Sequence, residues 1–256
     1  EKWTVASCPW SKKILDAWQS NSIQQVVEKA GSQTWKTTIM QQALAWSMKH
    51  RPLPKLWITA NDDLAQKASN RIHPILERCP DLDGLLLPGR RNKNTYEIHT
   101  LLGYLYISGV ESSTALEQEP FDQIFGDECR NWPAGSLQKL KMRQRSYRDA
   151  KRALFSTPDL AGDELDLEFN IGSQDEWLFP CQGCGDLIGL VWSSQFSRLP
   201  DELRAKSQMM FPKGTTEVWL ECHCNHRHLD IPTARRWILD HGQWQPLNTS
   251  TNPEEH

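Results

Sequence analysis

Ten residues, Glu28-Lys29-Ala30-Gly31-Ser32-Gln33-Thr34-Trp35-Lys36-Thr37, join a short apolar run, Ile23–Val27, to a segment of helical composition, Thr37–Lys49. A phosphate-binding loop belongs at such a strand-to-helix corner. Its backbone N–H groups wrap phosphate oxygens, a Lys neutralises them, and a Ser or Thr hydroxyl at the helix start holds Mg²⁺. Lys36 and Thr37 stand in the right order for the last two roles. Where that pattern has a glycine before the Lys, this chain has Trp35, and a bulky side chain is expected to obstruct the backbone conformation and close approach that glycine permits.

A second cluster is Asp127-Glu128, at the end of the strand-like run Phe121–Phe125. An Asp at a strand's C-terminal end can hold Mg²⁺ through water, and the following Glu can polarise an attacking water. Ser156-Thr157-Pro158 follows the next strand-like run, and small hydroxyls there could sense a γ-phosphate. The third chemistry is sulfur. Cys181-Gln182-Gly183-Cys184-Gly185 is a metal-knuckle spacing, and Cys222-His223-Cys224-Asn225-His226-Arg227-His228 offers a second set of donors. Thiolates two or three residues apart can bite one Zn²⁺. Cys181, Cys184 and Cys222 are three ligands, and the fourth is one of Cys224, His226 or His228. With every ligand from the protein, such a zinc would be structural.

The elements that must hold these groups alternate. Lys55–Ala60 reads as a buried strand and Asp62–Glu77 as a helix, with Leu64, Ala68, Ile72 and Ile75 on one stripe and Asn61 as its cap. Tyr96–His99 and Leu105–Ile107 flank Gly103 like a hairpin, Ser136–Tyr147 reads as a helix, and Ala153–Ser156 as a strand. Strands separated by helices predict an α/β fold with a mainly parallel sheet covered on both faces. From about Asn170 the rhythm changes to short Trp-rich segments around the cysteine pairs. The expected division is therefore 1–170 as a nucleotide-binding core, 171–245 as a smaller zinc subdomain, and 246–256 as a linker.

Composition removes other classes. The chain has 256 residues, 24% charged and 38% hydrophobic, which excludes wholesale disorder. With 29 Lys and Arg against 32 Asp and Glu, the net charge is −3, so any nucleic acid must meet a local basic patch. The densest such stretch is Lys141, Arg143, Arg145, Arg148, Lys151 and Arg152; on a helix Lys141, Arg145 and Arg148 share a face. Arg90, Arg91 and Lys93 form a smaller one. No apolar run is long enough to span a membrane, no signal peptide is visible, and the seven cysteines suit a reducing cytoplasm. Glu1 and the polar tail Thr249–His256 read as cuts in a longer chain.

In this order the motifs resemble the ATPase portion of the large terminase subunit of lambda-like tailed bacteriophages, enzymes that cut concatemeric DNA and pump it into an empty capsid. The resemblance spans nearly the whole chain. It runs from Pro9-Trp10 through Lys29…Gly31-Ser32-Gln33, Thr59-Ala60-Asn61-Asp62, Asn92-Lys93-Asn94-Thr95, Asp127-Glu128 and Ser156-Thr157-Pro158 to the cysteine knuckle. It implies a P-loop NTPase fold, ATP and Mg²⁺ bound by the loop 29–37, Asp127 beside the metal, Glu128 as the catalytic glutamate that activates water, and Ser156-Thr157 coupling hydrolysis to movement. Lys29 becomes a second phosphate-facing cation. Double-stranded DNA, a small terminase subunit, a portal protein and a homo-oligomeric ring in the host cytoplasm would be the partners, with a nuclease domain following. A rival reading is a zinc-stabilised DNA- or protein-binding module whose degenerate loop no longer hydrolyses ATP. A helicase-like repair ATPase would need further motifs where the cysteine segment lies.

Overall fold

The run before the loop becomes strand β1, Gln25–Lys29, in a computed structural model that describes residues 5–87, 96–101, 103–112, 119–191 and 199–248. Helix α1 (Ser11–Gln19) precedes it and α2 (Lys36–His50) follows the loop. Strand β2, Lys55–Thr59, is buried along its whole length, as the apolar Leu56-Trp57-Ile58 at its centre predicts for a strand inside a parallel sheet. The ammonium of buried Lys55 donates to the carbonyls of Arg51 and Leu53. Helix α3 covers Asp62–Glu77, and Asn61 caps it by accepting the Leu64 N–H at 3.0 Å. The expected hairpin forms: β3 (Glu97–His99) pairs antiparallel with β4 (Tyr104–Gly109). Then come β5 (Gln123–Asp127), α4 (Ser136–Arg143), β6 (Lys151–Ser156) and α5 (Glu164–Asn170).

These strands make one six-stranded sheet in the order β1-β6-β5-β2-β4-β3, parallel except for the β3–β4 edge. Alternate residues of a strand face opposite sides, and the core shows both being used. Leu56, Ile58 and Ile124 pack with Leu140 of α4, whereas Trp57 stacks on Phe125, whose ring meets Trp18 of α1 at a tilt. The order puts β6 between the strand leading into the loop and the strand ending in the acids. Three C-terminal strand ends therefore converge on one place.

The chain divides into two compact units, and residues 5–13 group with the second of them rather than with the sheet. That second unit otherwise runs from Ser173 and carries two three-stranded sheets. One has the order β12-β7-β8 (Gln243–Gln245, Glu176–Pro180, Leu187–Gly189), the other β11-β10-β9 (Arg227–Leu229, Trp219–Cys222, Ser207–Met210).

One expected element is shorter than the sequence suggests. The helix read as Ser136–Tyr147 ends at Arg143, because Gln144 turns inward and its amide donates to the carbonyls of Asp122 and Lys151, at 3.2 and 2.8 Å. Arg145 and Arg148 consequently lie on an exposed turn and share no helical face with Lys141. Lys151 is drawn into the sheet, its ammonium capping the carbonyls of Trp18 and Ser20, and Arg152 bonds Gln25 and Gln144. Lys141 pairs with Glu168. Four of the six basic residues thus sit in strand or helix rather than in one solvated face. Arg90, Arg91, Lys93, the Asn92–Thr95 motif and the tail 249–256 lie outside the described residues.

Candidate nucleotide site and cysteine cluster

The loop between β1 and α2 is exposed at Gly31, Ser32 and Gln33 and closes over Lys36. The Lys36 side chain is held almost entirely inside it: the residue is 6% exposed and its ammonium donates to the carbonyls of Ala30 and Gly31, at 2.9 and 2.6 Å. Thr34 closes the same turn, its hydroxyl donating to the Gly31 carbonyl at 2.8 Å.

Trp35 departs from the expectation of an obstructed loop. Its backbone takes the left-handed conformation, φ 68° and ψ 9°, that glycine would supply at no cost, and its side chain remains 45% exposed. Gln33, at φ 61°, is left-handed as well. Each costs about 1–2 kcal/mol for an L-residue, so the loop holds a strained shape with the indole outside. No side chain caps α2. Its first-turn N–H groups and its dipole are left to an outside acceptor, the arrangement in which helix N-termini bind phosphate.

Thr37, one residue on, points its hydroxyl at Asp127, 3.4 and 3.5 Å from the two carboxylate oxygens. Burial, and then the neighbouring charge of Glu128, raise the Asp127 carboxyl to about 6. A poorly solvated carboxylate beside another acid and a hydroxyl is a donor set that suits a hard divalent cation, and Thr37 with Asp127 could hold Mg²⁺. Glu128 is itself left-handed, at φ 53°, and its carboxylate lies 3.7 Å from the Arg130 Nε. Gly126 before the pair is required, because a Cβ there would meet Trp132 at 2.6 Å.

Ser156 ends β6 between the loop and the acids. It is fully buried; its hydroxyl accepts the Arg130 N–H at 3.1 Å and its carbonyl accepts the Ala30 N–H at 3.2 Å. Thr157, next in the chain, is partly exposed. Lys36, Thr37, Asp127, Glu128, Ser156 and Thr157 are thus brought together. Lys29 is not. Its ammonium pairs with Asp166, over the Phe169 ring, and the side chain is 8% exposed, so it is no phosphate-facing cation here.

Arg130 and Glu28 were invisible as site residues in the sequence. Glu28 sits in β1 on the residue before Lys29, buried, with an oxygen that has no hydrogen-bond partner. Desolvation raises its carboxyl to about 8, against the lowering pull of Lys36. Since the folded value lies above the ordinary 4.5, this group favours folding fully below about pH 4.5 and loses that contribution as pH rises through 8. Glu28→Gln is therefore expected to be more stable than wild type at pH 8, by on the order of a few kcal/mol, and the gap should close toward pH 5. Melting curves across that range check it; parallel curves for the two proteins would refute it.

In the second unit, Cys181 follows β7 and Cys222 ends β10, and the sulfurs of Cys181, Cys184, Cys222 and Cys224 all lie within 4.8 Å of one another. Two sulfur pairs, Cys181–Cys224 and Cys184–Cys222, are separated by 3.8 and 3.7 Å. Four sulfurs at the Zn–S distance of about 2.3 Å on a tetrahedron stand about 3.8 Å apart. The geometry therefore fits Zn²⁺ with Cys224 as the fourth donor. His228 instead contacts the Cys181 sulfur, Nε2 to Sγ 3.4 Å, and His223 faces Asp186 at 3.0 Å. Burial pushes the Cys222 thiol up to about 12, so thiolates in this cluster need a cation to balance them. Gly183 leaves room for the knuckle, since a Cβ would press on His226 at 2.8 Å.

Residues 1–244 match the family model of the phage terminase large subunit gpA ATPase domain. The chain belongs to this family. Two solved structures share the fold. The HK97 bacteriophage large terminase aligns with a TM-score of 0.55 at 11% identity, over 66% of this chain and 36% of its own length. A point mutant of the Thermus phage P74-26 large terminase ATPase domain aligns at 0.50 and 15% identity, over 67% of this chain and 71% of its own. No match to a curated protein was found. For a terminase ATPase domain, the six-stranded sheet and its loop are the expected frame. No helix among the described residues is long and apolar enough to cross a membrane.

Proposed function

We propose that this chain binds and hydrolyses ATP with Mg²⁺ and uses the energy to move double-stranded DNA into a procapsid. The supporting observation is the convergence of Lys36, Thr37, Asp127, Glu128 and Ser156-Thr157 at the ends of three adjacent strands. On nucleotide binding, Lys36 exchanges two loop carbonyls for phosphate oxygens, and the open N–H groups at the start of α2 receive the same phosphates. Glu128 takes the proton of the attacking water. Mg²⁺ on Thr37 and Asp127 would neutralise charge on the β- and γ-phosphates. Thr157 is the hydroxyl exposed to the γ-phosphate, and Ser156 links its movement to Arg130 and Ala30.

The rival reading, a binding module with a dead loop, rests on Trp35 as an obstruction; the outward indole and left-handed backbone favour the ATPase over it. The surrounding machinery would be a homo-oligomeric ring in the host cytoplasm, with a small terminase subunit and a portal protein. Zn²⁺ on the four cysteines is structural in this reading.

Steady-state ATPase measured with and without duplex DNA tests the function. Turnover by neither route would leave only the binding module. The exposed turn of Arg145 and Arg148 remains the candidate DNA contact, reduced to these two side chains. Replacing both by Ala should weaken binding of any duplex sequence and flatten the log–log salt dependence by about two units, close to one per lost phosphate contact. DNA-independent ATPase should not change. Unchanged affinity and slope would make the turn an ordinary solvated surface.

A further inference from the structure

Helix α5 carries three acids, and each is engaged by an element that touches the nucleotide site or the basic turn. Asp166 is nearly fully buried. It accepts the Lys29 ammonium at the end of β1, the Gly162 N–H at 2.8 Å and the Asn170 amide at 3.2 Å. Gly162 lies in the connection that leaves Ser156-Thr157-Pro158. One carboxylate thus ties the strand feeding the loop to the segment following the hydroxyl pair. Removing one partner of a buried pair of this kind leaves an uncompensated charge in the interior and is strongly destabilising, so the tie is stiff.

The other two acids reach α4. That helix has no side-chain cap of its own; Gly135 stands at its start in the left-handed conformation. Glu164 supplies the missing acceptor, taking the N–H groups of Gly135 and of Leu137, the latter at 3.3 Å. Glu168 bridges Lys141 of α4 and the Gln25 amide of β1, at 2.9 Å for the amide. α4 leads directly into the turn bearing Arg145 and Arg148.

We infer that α5 is the bracket that transmits the state of the γ-phosphate from Ser156-Thr157 to α4, with Glu164 as its positioning residue. The inference rests on the ATPase reading proposed above. When Thr157 gains or loses its phosphate contact, the connection through Gly162 moves, and Asp166 holds α5 to it. Glu164, two residues before Asp166, then shifts the end of α4 to which it is bonded. The acids do not touch the nucleotide; they set where the basic turn stands.

Glu164→Ala removes both acceptor oxygens, whereas Glu164→Gln keeps one, able to accept from either Gly135 or Leu137 but not from both. In the alanine variant, stimulation of ATPase by duplex DNA should fall by about fivefold or more, the lower end of coupling between distinct sites. Its DNA-free turnover and KM for ATP should stay at wild-type values, and the glutamine variant, with one of the two bonds left, should fall between the alanine variant and wild type. Hydrogen exchange provides a readout independent of turnover. In wild type, residues 136–149 should exchange differently with ATPγS bound than with ADP bound, and Glu164→Ala should abolish the difference. A retained difference or retained stimulation in Glu164→Ala overturns the bracket alone, as does a wild type that binds both nucleotides without any difference at 136–149. A wild type that calorimetry finds unable to bind either nucleotide overturns the ATPase reading and the bracket together.

Discussion

Glu128→Gln is expected to leave ATP binding intact and to lower turnover by about 10²-fold or more, the scale of a lost general base. The substitution keeps the shape of the side chain while removing the ability to accept the proton of water, together with the charge that faces Arg130 and Asp127. Lys36→Ala should act on a different quantity. It deletes the ammonium over which the loop closes, so nucleotide affinity should fall before turnover is considered. Nucleotide titration and single-turnover hydrolysis, run on both variants, separate the two effects. Equal turnover in wild type and Glu128→Gln would remove Glu128 from the chemistry and shift attention to Asp127, whose raised carboxyl is the other acid within reach.

Removing metal from the cysteine cluster should have the largest effect on stability. Structural Zn²⁺ sites carry apparent binding free energies of about 10–16 kcal/mol near neutral pH, and that energy is coupled to folding. Elemental analysis should find one zinc per chain. Strong chelation, or Cys181→Ser, should lower the melting temperature markedly and open the apolar cluster of Phe179, Ile188 and Leu220 that surrounds the buried sulfurs. Cys224→Ser should match Cys181→Ser in metal loss. His228→Ala, which removes only a partner of a ligand sulfur, should weaken metal binding by about 10–100-fold. His226→Ala should do least. A metal-free protein of undiminished stability would mean that the four sulfurs pack as thiols.

The fold was legible in the sequence where the signal was local. Asn61 announced its helix through its own side chain, the apolar Leu56-Trp57-Ile58 announced a buried strand, and Asp127-Glu128 sat where a strand end was expected. Local signals failed where a distant residue decided the outcome. Nothing near Lys29 in the chain indicates Asp166, which is brought to it by the parallel pairing of β1 with β6. The basic stretch misled for the same reason. Its charges imply a solvated helix, yet Lys151 caps carbonyls at the end of α1 and Gln144 ends α4 early by bonding two strands. Trp35 is a different case: nothing in the residue type indicates that a Trp takes the positive φ of a glycine here and keeps its indole partly in solvent.

The position of β6 has a consequence for how the site keeps its dimensions. Strands β1 and β5 do not pair, and the strand between them sets their separation at two ladder spacings, roughly 9.6 Å. The middle strand therefore acts as a gauge block: it fixes how wide a gap the loop must arch over before Thr37 can meet Asp127. Leu154 and Phe155, which touch no phosphate and are dry on both sides of the sheet, are then custodians of catalytic spacing. A change of volume at either would loosen the packing on both faces of the strand that holds this spacing, and would be felt as lost stability of the sheet.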